Sequence, residues 1–517
     1  MRLSLIGLIS ACAIVLISCS TGSSLAITET SVTQKPATIT TSRESTAGTE
    51  GTVLLSASST AQFASQPSLG QTKEEAVERP KPDLLVPSDF TYLGAFRLPG
   101  SEERPYTFAY GGEAMTFNPN GDPKGAADGF SGSLFVMGHN RMPYGELPHG
   151  NQLAEISICK PLVTKQVEQL PQAVFLQNFH EIDPGLFAYP DEIPRVGIEY
   201  LDNPATGAVL HLCWGQHFHH EDEALGPTHT WVSPALGQKI ESNGWYIGNQ
   251  SPYSVNNYLF SVPTEWAGEH LGGRLLATGR FRDGGWSGMG PSLYAYVPWD
   301  TETGLPVASG THLEEIVLLQ YARSDETDII EHSLEGYQHG DEWEGGAWIT
   351  TDSGRNAVLF AGTKSIGERY WYGFINATGP DYPCLQEEFI GEFTLLRFAD
   401  GTPCPNETDW VCEDPISGRG WWSSAFSGQF ILYDPADLAS VAAGAMEPWE
   451  PQPYMRFSID DVLFLNPSGV DIETLGFGVQ RRFRLGDVCF DRGNGLLYVL
   501  ELFADEAKPV VHVWRIE

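Results

Sequence analysis

The sequence predicts an all-β fold, a β-propeller with five blades, and three observations carry this prediction. A hairpin pattern fills Leu485 to Glu501, where two short apolar runs rich in β-formers flank a turn dense in Gly, Asn and Asp. Related hairpin patterns recur upstream at residues 111–139, 195–215 and 345–362. Helix signal is scarce, and Pro435 to Ala443 is the best short candidate. A hairpin that recurs along a chain in this way is typical of propeller blades.

The number of blades follows from the number of glycine-led first strands. Five such strands are predicted, beginning near Gly111, Gly197, Gly290, Gly345 and Gly486. The third is the least regular, because residues 291–298 fit either a first or a third strand. The spacing between candidates is uneven, which leaves an irregular β-sandwich or a propeller with six or seven blades as alternatives.

The two ends of the ordered region are expected to share one blade. Phe90 to Leu98 is predicted to be a strand with aromatic residues that is not part of an adjacent hairpin. Val510 to Ile516 is predicted to be a strand that no further strand follows. Elsewhere these two strand types occur in succession, as in Gln429 to Tyr433 followed by Pro453 to Ile459. Pairing the termini would close the ring and leave no open seam.

The composition fits a globular protein with a strongly acidic character. Hydrophobic residues make up 41% of the chain, and 30 Lys and Arg stand against 66 Asp and Glu, a formal charge of -36. Such a field repels phosphate backbones, so nucleic acid is not expected as a partner.

Residues 1–18 are typical of an export signal peptide. Arg2 supplies the positive charge, and Leu3 to Ile17 form an apolar run that is short for a membrane span. The ending Leu16-Ile17-Ser18-Cys19 resembles the lipobox of bacterial lipoproteins. This resemblance implies that Cys19 is acylated, with fatty acids such as palmitate, and anchors the protein to a bacterial membrane on its extracytoplasmic side. A plain secretory signal with a chance Cys is the alternative.

Residues 19–82 are expected to form a disordered tether between this anchor and a propeller domain at 83–517. The segment is rich in Ser, Thr, Ala, Gly and Pro and has few large apolar residues. Such a composition cannot bury enough apolar surface to offset the entropy lost on ordering.

The cysteines after Cys19 fall into two groups. Cys159, Cys213 and Cys489 lie within strand patterns and are expected to be buried thiols. Cys384, Cys404 and Cys412 lie in a long insertion, at about 376–428, where an oxidising compartment would favour one disulfide. Cys404 with Cys412 closes the shortest loop, and Cys384 with Cys412 is the rival pairing.

A second insertion, at about 216–256, begins with a histidine-rich run. His217, His219 and His220 precede Glu221, Asp222 and Glu223. Imidazoles and carboxylates are suitable ligands for a divalent metal such as zinc, nickel or copper, and His217 and His219 would share one face of a strand. The alternative is a solvated polar loop.

Carboxylates at the starts of the first strands form the main candidate site. These residues are Glu113, Glu199, Glu344 and Asp487. Innermost strands of a propeller line the central channel, so the four side chains are expected to converge there. Aromatic residues nearby could offer stacking faces to sugar rings; the candidates are Tyr110, Trp286 and Trp343. A hydrated acidic channel or a structural cation site is the alternative.

Five blades, axial carboxylates and an export signal together resemble the five-bladed glycosidases of the arabinanase and invertase type. The resemblance is architectural and covers the region from Leu84 onward. It implies that an enzyme on this scaffold would be a glycoside hydrolase, with Glu113 and Asp487 as the leading acid and base. No diagnostic motif of those enzymes stands at a matching position. We therefore favour a surface binding or scaffold module, for carbohydrate or a surface protein, over the hydrolase.

Overall fold

The fold is taken from a computed structural model of the chain. The structure describes residues 81–517 apart from 101–104, 126–128, 139–151, 184, 187–194, 216–225, 239–242, 281–287, 323–331, 339, 372–385, 391–392, 398–420, 471–474 and 477.

The described residues are mostly strands, with a few short helices. The strands are β1 (Phe90–Arg97), β2 (Met115–Asn118), β3 (Ser133–Met137), β4 (Gln152–Ser157), β5 (Phe175–Glu181), β6 (Arg195–Asn203), β7 (Gly207–Gly215), β8 (His229–Val232), β9 (Tyr246–Ile247), β10 (Leu259–Ser261), β11 (Leu276–Thr278), β12 (Leu293–Tyr296), β13 (His312–Leu313), β14 (Ile316–Leu319), β15 (Glu342–Thr350), β16 (Asn356–Trp371), β17 (Gln386–Ile390), β18 (Phe393–Arg397), β19 (Trp421–Tyr433), β20 (Met455–Ser458), β21 (Leu485–Asp491), β22 (Leu496–Asp505) and β23 (Lys508–Ile516). The helices are α1 (Thr264–His270), α2 (Pro435–Ala442) and 3-10 turns at Pro87–Asp89, Val167–Gln169, Pro252–Ser254 and Gly478–Gln480.

Five small sheets form a five-bladed β-propeller, as the hairpin pattern predicted. In ring order the blades are β2-β3-β4-β5, β6-β7-β8, β10-β11-β12-β14, β15-β16-β19-β20 and β21-β22-β23-β1, here called the first to fifth blades. The first strand of each blade contacts the first strands of both neighbouring blades, in the closed cycle β2, β6, β10, β15, β21 and back to β2. These five inner strands therefore surround the propeller axis.

The terminal strands share the fifth blade, which confirms the predicted closure. β1 pairs antiparallel with β23, with Phe90 opposite Ile516 and Arg97 opposite Val510, and the register shifts between Tyr92 and Gly94. The pairing gives β23 a partner on its outer side and joins the two ends of the ordered chain.

The third blade departs from the prediction. The strand expected to begin near Gly290 is not a first strand; β12 is the third strand of its blade, and β10 is the innermost. The first two strands of this blade are joined by a segment that contains α1 instead of a tight Gly-rich turn. The hairpin signal used for the other blades is therefore missing here.

The fourth blade carries the insertion that was expected to be a loop from about residue 376. β16 and β19 instead pair far beyond the other strands of the blade, to Trp371 opposite Trp421. Between them, β17 and β18 form a separate hairpin with Gln386 opposite Arg397. The predicted helix near Pro435 is confirmed as α2, whose first turn is capped by the Asp434 side chain accepting from the Ala436 N–H.

The hydrophobic core lies between the blades. Five clusters of buried residues each join the facing sides of two neighbouring blades, for example Leu153 and Ile198 between the first and second, or Phe360 and Leu293 between the third and fourth. Apolar packing between sheets thus holds the ring together. Within the described residues, none of the helices has the length and apolar character needed to cross a membrane.

Candidate functional site at the propeller axis

The four predicted carboxylates all lie on or next to inner strands. Glu199, Glu344 and Asp487 belong to β6, β15 and β21, and Glu113 lies two residues before β2. Glu113, Glu344 and Asp487 are buried, and Glu199 is partly exposed. The sequence therefore located the axis correctly. What these groups do there depends on their partners.

Asp487 links the fifth blade to the first. Its Oδ2 accepts a hydrogen bond from the Met115 N–H at 2.9 Å, and its Oδ1 accepts one from the Val488 N–H at 2.8 Å. Burial, and to a smaller extent the negative charges of Glu199 and Glu344, raise the pKa of Asp487 well above its usual value. Three of the four predicted carboxylates thus interact electrostatically, and the hydrogen bonds of Asp487 tie two blades together.

Glu199 links the second blade to both of its neighbours. Its Oε2 accepts from the Thr116 hydroxyl of the first blade at 2.9 Å, and its Oε1 accepts from the Ser261 N–H of the third blade at 3.0 Å. Part of the residue remains open to solvent, yet protein surrounds the carboxyl group closely. This burial raises the pKa of Glu199, although hydrogen bonds from the Ser261 hydroxyl, the Thr116 hydroxyl and the Ser261 N–H, and the charge of Arg492, act in the opposite direction.

Backbone contacts complete the ring at the level of these carboxylates. The Asn257 side chain of the third blade donates from Nδ2 to the Glu344 carbonyl of the fourth blade at 2.7 Å. Gly345 packs so closely on the fifth blade that a Cβ there would lie 2.6 Å from the Val488 nitrogen. A Cβ on Gly197 would overlap the carbonyl oxygen of Asn257. Glycines beside the carboxylates therefore allow inner strands to touch.

Arg492, which the sequence analysis did not single out, clasps three blades at the carboxyl ends of the inner strands. From the end of β21 it donates through Nη1 to the Trp348 carbonyl at 2.7 Å and through Nη2 to the Ser261 carbonyl at 2.6 Å. A longer contact of 3.4 Å joins Nη1 to the Thr350 hydroxyl. Burial lowers the pKa of Arg492, and the nearby Glu199 carboxylate offsets part of that shift.

A pocket of about 330 Å³ opens at this end of the axis. All five inner strands, or the turns directly after them, contribute to its wall, including Thr116, Glu199, Ser261, Trp348 and Arg492. We call it the mouth pocket.

The wall of the mouth pocket combines aromatic rings with polar groups. Phe117 and Phe490 are partly exposed there, and Asp202 and Asn494 stand exposed among its lining residues. Asp491 also lines it, but its oxygens accept from the Gly493 and Asn494 N–H groups and from the Asn494 side chain. Burial raises the pKa of Asp491. Asp491 thus shapes the turn together with the Asn494 amide nitrogen, which donates to Asp491 Oδ2 at 2.6 Å and to the Ser131 hydroxyl at 3.3 Å. Phe117, Phe490, Asp202 and the amide oxygen of Asn494 remain to face a ligand.

Two of the three predicted aromatic platform residues, Tyr110 and Trp343, are not among the residues that line this pocket. Tyr110 precedes β2 with a left-handed φ of 61°, and its ring meets Phe503 edge-on at 5.7 Å. Trp343 is buried in the cluster between the third and fourth blades, so its ring faces are covered by core residues. Trp286 lies outside the described residues.

Several other predicted sites also lie outside the described residues and stay predictions. These are Cys19, His217, His219, His220, Cys404 and Cys412. Within the described ranges, no group of three or more His, Cys, Asp or Glu side chains is arranged to hold a metal ion. Cys213 and Cys489 are free thiols and are buried as expected, whereas Cys159 is partly exposed.

The sequence carried only a weak signal for the mouth pocket. Its exposed polar residues stand at the ends of inner strands or in the turns that follow them; Asp202 is the second-last residue of β6, and Asn494 lies in the turn after β21. Polar residues are common in every hairpin turn, so nothing in the pattern distinguishes these from ordinary turn residues.

Comparisons with known proteins add little to this picture. No family model matches the sequence, and no curated protein matches it. Among solved structures the chain is similar to one titled "Structure of Dos1 propeller", with 8% sequence identity over 82% of this chain and 95% of that chain. The TM-score is 0.21, which is too low to support any conclusion about fold or function. The propeller assignment therefore rests on strand pairing and on the closed cycle of inner strands.

Proposed function

We propose that this protein is a non-catalytic binding module that holds carbohydrate in the mouth pocket, displayed outside the cytoplasm from a lipid anchor at Cys19. The observation that carries the proposal is the composition of the pocket. It places two partly exposed phenylalanines beside side chains that donate and side chains that accept hydrogen bonds, at a point where all five blades contribute.

Carbohydrate suits this combination because a sugar ring has an apolar face and an edge of hydroxyl groups. Phe117 and Phe490 supply apolar surface for the ring faces. Asp202, Glu199 and the amide oxygen of Asn494 supply acceptors, and the guanidinium of Arg492 supplies donors. A pocket lined mainly by rings with a few converging polar groups is the usual form of a small-ligand site.

The bonding of the axial carboxylates supports binding over catalysis. Asp487 and Glu199 each accept hydrogen bonds from groups of neighbouring blades. Asp487 is 1% exposed and Glu344 is fully buried, so neither stands open to a substrate. These contacts give the carboxylates a structural role at the axis.

The anchor and tether support a display function. An acylated Cys19 would hold the chain at a bacterial membrane, and the low-complexity segment at 19–82 would let the propeller reach outward. A module placed in this way could retain glycans, or a glycan-bearing surface protein, at the cell envelope.

A glycan array tests the proposal when it is read with matched pairs of variants. We expect Phe490→Ala to weaken glycan binding by about tenfold or more, because it removes an aromatic wall of the pocket. Phe464→Ala is the control, since Phe464 is also partly exposed but does not line the pocket. Asp202→Asn and Asp352→Asn form a second pair, both exposed, with only Asp202 at the pocket. Equal loss in both members of each pair, or no binding to any glycan, would contradict the proposal.

One observation favours glycoside hydrolysis as the second candidate. Asp487, Glu199 and Glu344 interact electrostatically, and the raised pKa of Asp487 favours its protonated form. Glycosidases use a pair of neighbouring carboxyl groups, one protonated as the acid and one ionised as the base or nucleophile.

Incubating the parent with each bound glycan, followed by product analysis, separates the two candidates. Turnover that disappears in Asp487→Asn while glycan binding persists would establish the hydrolase. Binding without products would leave the protein a module.

A further inference from the structure

The inner end of the mouth pocket is closed. Asp487 and Glu344, which lie deeper along the axis, have exposures of 1% and 0%. A water-filled passage past them would leave their carboxyl groups wet. Gly345 lies against the Val488 nitrogen and Gly197 against the Asn257 carbonyl, so strands of adjacent blades touch at this level. The pocket is therefore a blind recess and not one end of an open channel.

The size of the recess limits what can enter it. Its volume of about 330 Å³ is at the lower end of the range for small-molecule sites, roughly 300–1,000 Å³. A polymer cannot thread through a closed recess, and one this small accommodates a terminal unit with little beyond it. A chain that enters must do so end first.

The floor of the recess offers a donor and an acceptor that a terminal unit can reach. Glu199 accepts from the Thr116 hydroxyl at 2.9 Å, from the Ser261 N–H at 3.0 Å and from the Ser261 hydroxyl. The two oxygens of a carboxylate can accept about four hydrogen bonds, so one position is left for a ligand. Within the described residues, Arg492 uses Nη1 and Nη2 in its three contacts, which leaves its Nε hydrogen and one Nη2 hydrogen. Paired donors and acceptors of this kind suit neighbouring hydroxyl groups on one ring.

We infer that the mouth pocket recognises the terminal sugar of a glycan chain, with Glu199 and Arg492 reading its free hydroxyls. This inference rests on the proposed carbohydrate-binding function. An internal sugar unit carries a chain on both sides, and the closed floor excludes the second chain. The rim residues Asp202 and Asn494 then meet the next unit of the chain.

The test uses the full-length protein on arrays of glycans in matched series. One series keeps the internal sequence and changes the terminal sugar, and the other keeps the terminal sugar and changes the number of internal units. We expect removal or replacement of the terminal sugar to reduce binding by about tenfold or more, and added internal units to change it by less than about threefold. The corresponding free monosaccharide should compete.

Glu199→Gln is the informative variant. Gln keeps one oxygen that can accept from the Ser261 N–H, but it replaces the other carboxylate oxygen, an acceptor for sugar hydroxyls, by an amide nitrogen that donates. It should lose discrimination between terminal sugars, and its melting temperature should fall only modestly, because Gln loses the oxygen that accepts from the Thr116 hydroxyl but keeps one for the Ser261 N–H. Should that variant fold poorly, the glycan series on the parent decides alone. Binding that grows with internal length and ignores the terminal sugar would overturn the inference but leave carbohydrate binding intact. Absence of binding to every glycan would overturn the proposed function itself, and the inference with it.

Discussion

Acid should destabilise this propeller through a histidine buried between its second and third blades. His211 lies on β7, is 1% exposed and packs against the rings of Trp231 and Trp299. Within the described part of the chain, neither of its ring nitrogens has a hydrogen-bond partner. Burial lowers the pKa of His211 from 6.5 to about 3.

The direction and size of the effect follow from proton uptake. Between pH 6.5 and 3 the unfolded chain binds a proton at His211 and the folded chain does not, so the free energy of unfolding falls as the pH falls. A shift from 6.5 to about 3 corresponds to a loss of about 3 kcal/mol between pH 7 and pH 4 at 1.36 kcal/mol per unit. His229, whose pKa is also lowered to about 3, adds a second contribution of the same sign.

His211→Phe isolates the contribution of His211. The variant loses no hydrogen bond, so it should be at least as stable as the parent at pH 7, and it should lose about 3 kcal/mol less on going to pH 4. Urea unfolding of both proteins at the two pH values measures this difference. Asp487 and other buried carboxylates change the free energy of unfolding with pH in the opposite direction. They are present in both proteins, so their contributions cancel when the two proteins are compared.

His229→Phe serves as the comparison, because it removes contacts of His229 with the Thr228 and Thr278 hydroxyls at 2.9 and 3.3 Å. It should be less stable than His211→Phe at pH 7, and it should also be less sensitive to acid than the parent. If His211→Phe loses as much stability as the parent between pH 7 and pH 4, to within about 1 kcal/mol, the assignment of His211 as a neutral buried group is refuted.

Three further predictions address the ring and its anchor. Gly197→Ala should lower the free energy of unfolding by about 2–3 kcal/mol, since its methyl group would overlap the Asn257 carbonyl. Gly268→Ala in α1 is the control, because Gly268 has open space around it, and this variant should be as stable as the parent or more stable. Urea titration measures both. Deletion of residues 90–97 should leave β23 unpaired and prevent cooperative folding, whereas deletion of residues 20–70 should leave the melting temperature unchanged; similar melting curves would contradict ring closure by β1. Cys19→Ala should abolish incorporation of labelled fatty acid and release the protein from membranes, and a variant that stays membrane-bound would rule out the anchor.

Most of the blade pattern could be predicted from sequence because it is local. In the second, fourth and fifth blades, the two inner strands follow each other through short connections, so β-formers and turn residues are visible in one window. The first blade has a longer connection at 119–132, but that segment is dense in the turn residues Gly, Asp and Pro. The prediction of the third blade was wrong because its first strand has no such local signal. Its first strand has three residues, and a segment with α1 separates it from the second.

The candidate site was harder to predict because it depends on contacts that are distant in sequence. The positions of Asp487 and Glu344 on inner strands followed from their places at the starts of first strands, but their burial did not, since a central channel was expected there. The clasp made by Arg492 did not, since its partner Ser261 is 231 positions away and the two meet only when the ring has closed. Trp343 looked like a platform beside Glu344, but the side chain of a residue next to an axial position points into the blade interface, where it is buried.

A crystal structure of the propeller in complex with its tightest-binding glycan would locate the ligand without relying on variants. We expect the terminal sugar in the mouth pocket, between Phe117 and Phe490, with hydroxyl groups within hydrogen-bond distance of Glu199 and Arg492. A glycan bound at the opposite end of the axis, beside Tyr110 and Glu113, would contradict this assignment and favour the site first predicted from the sequence.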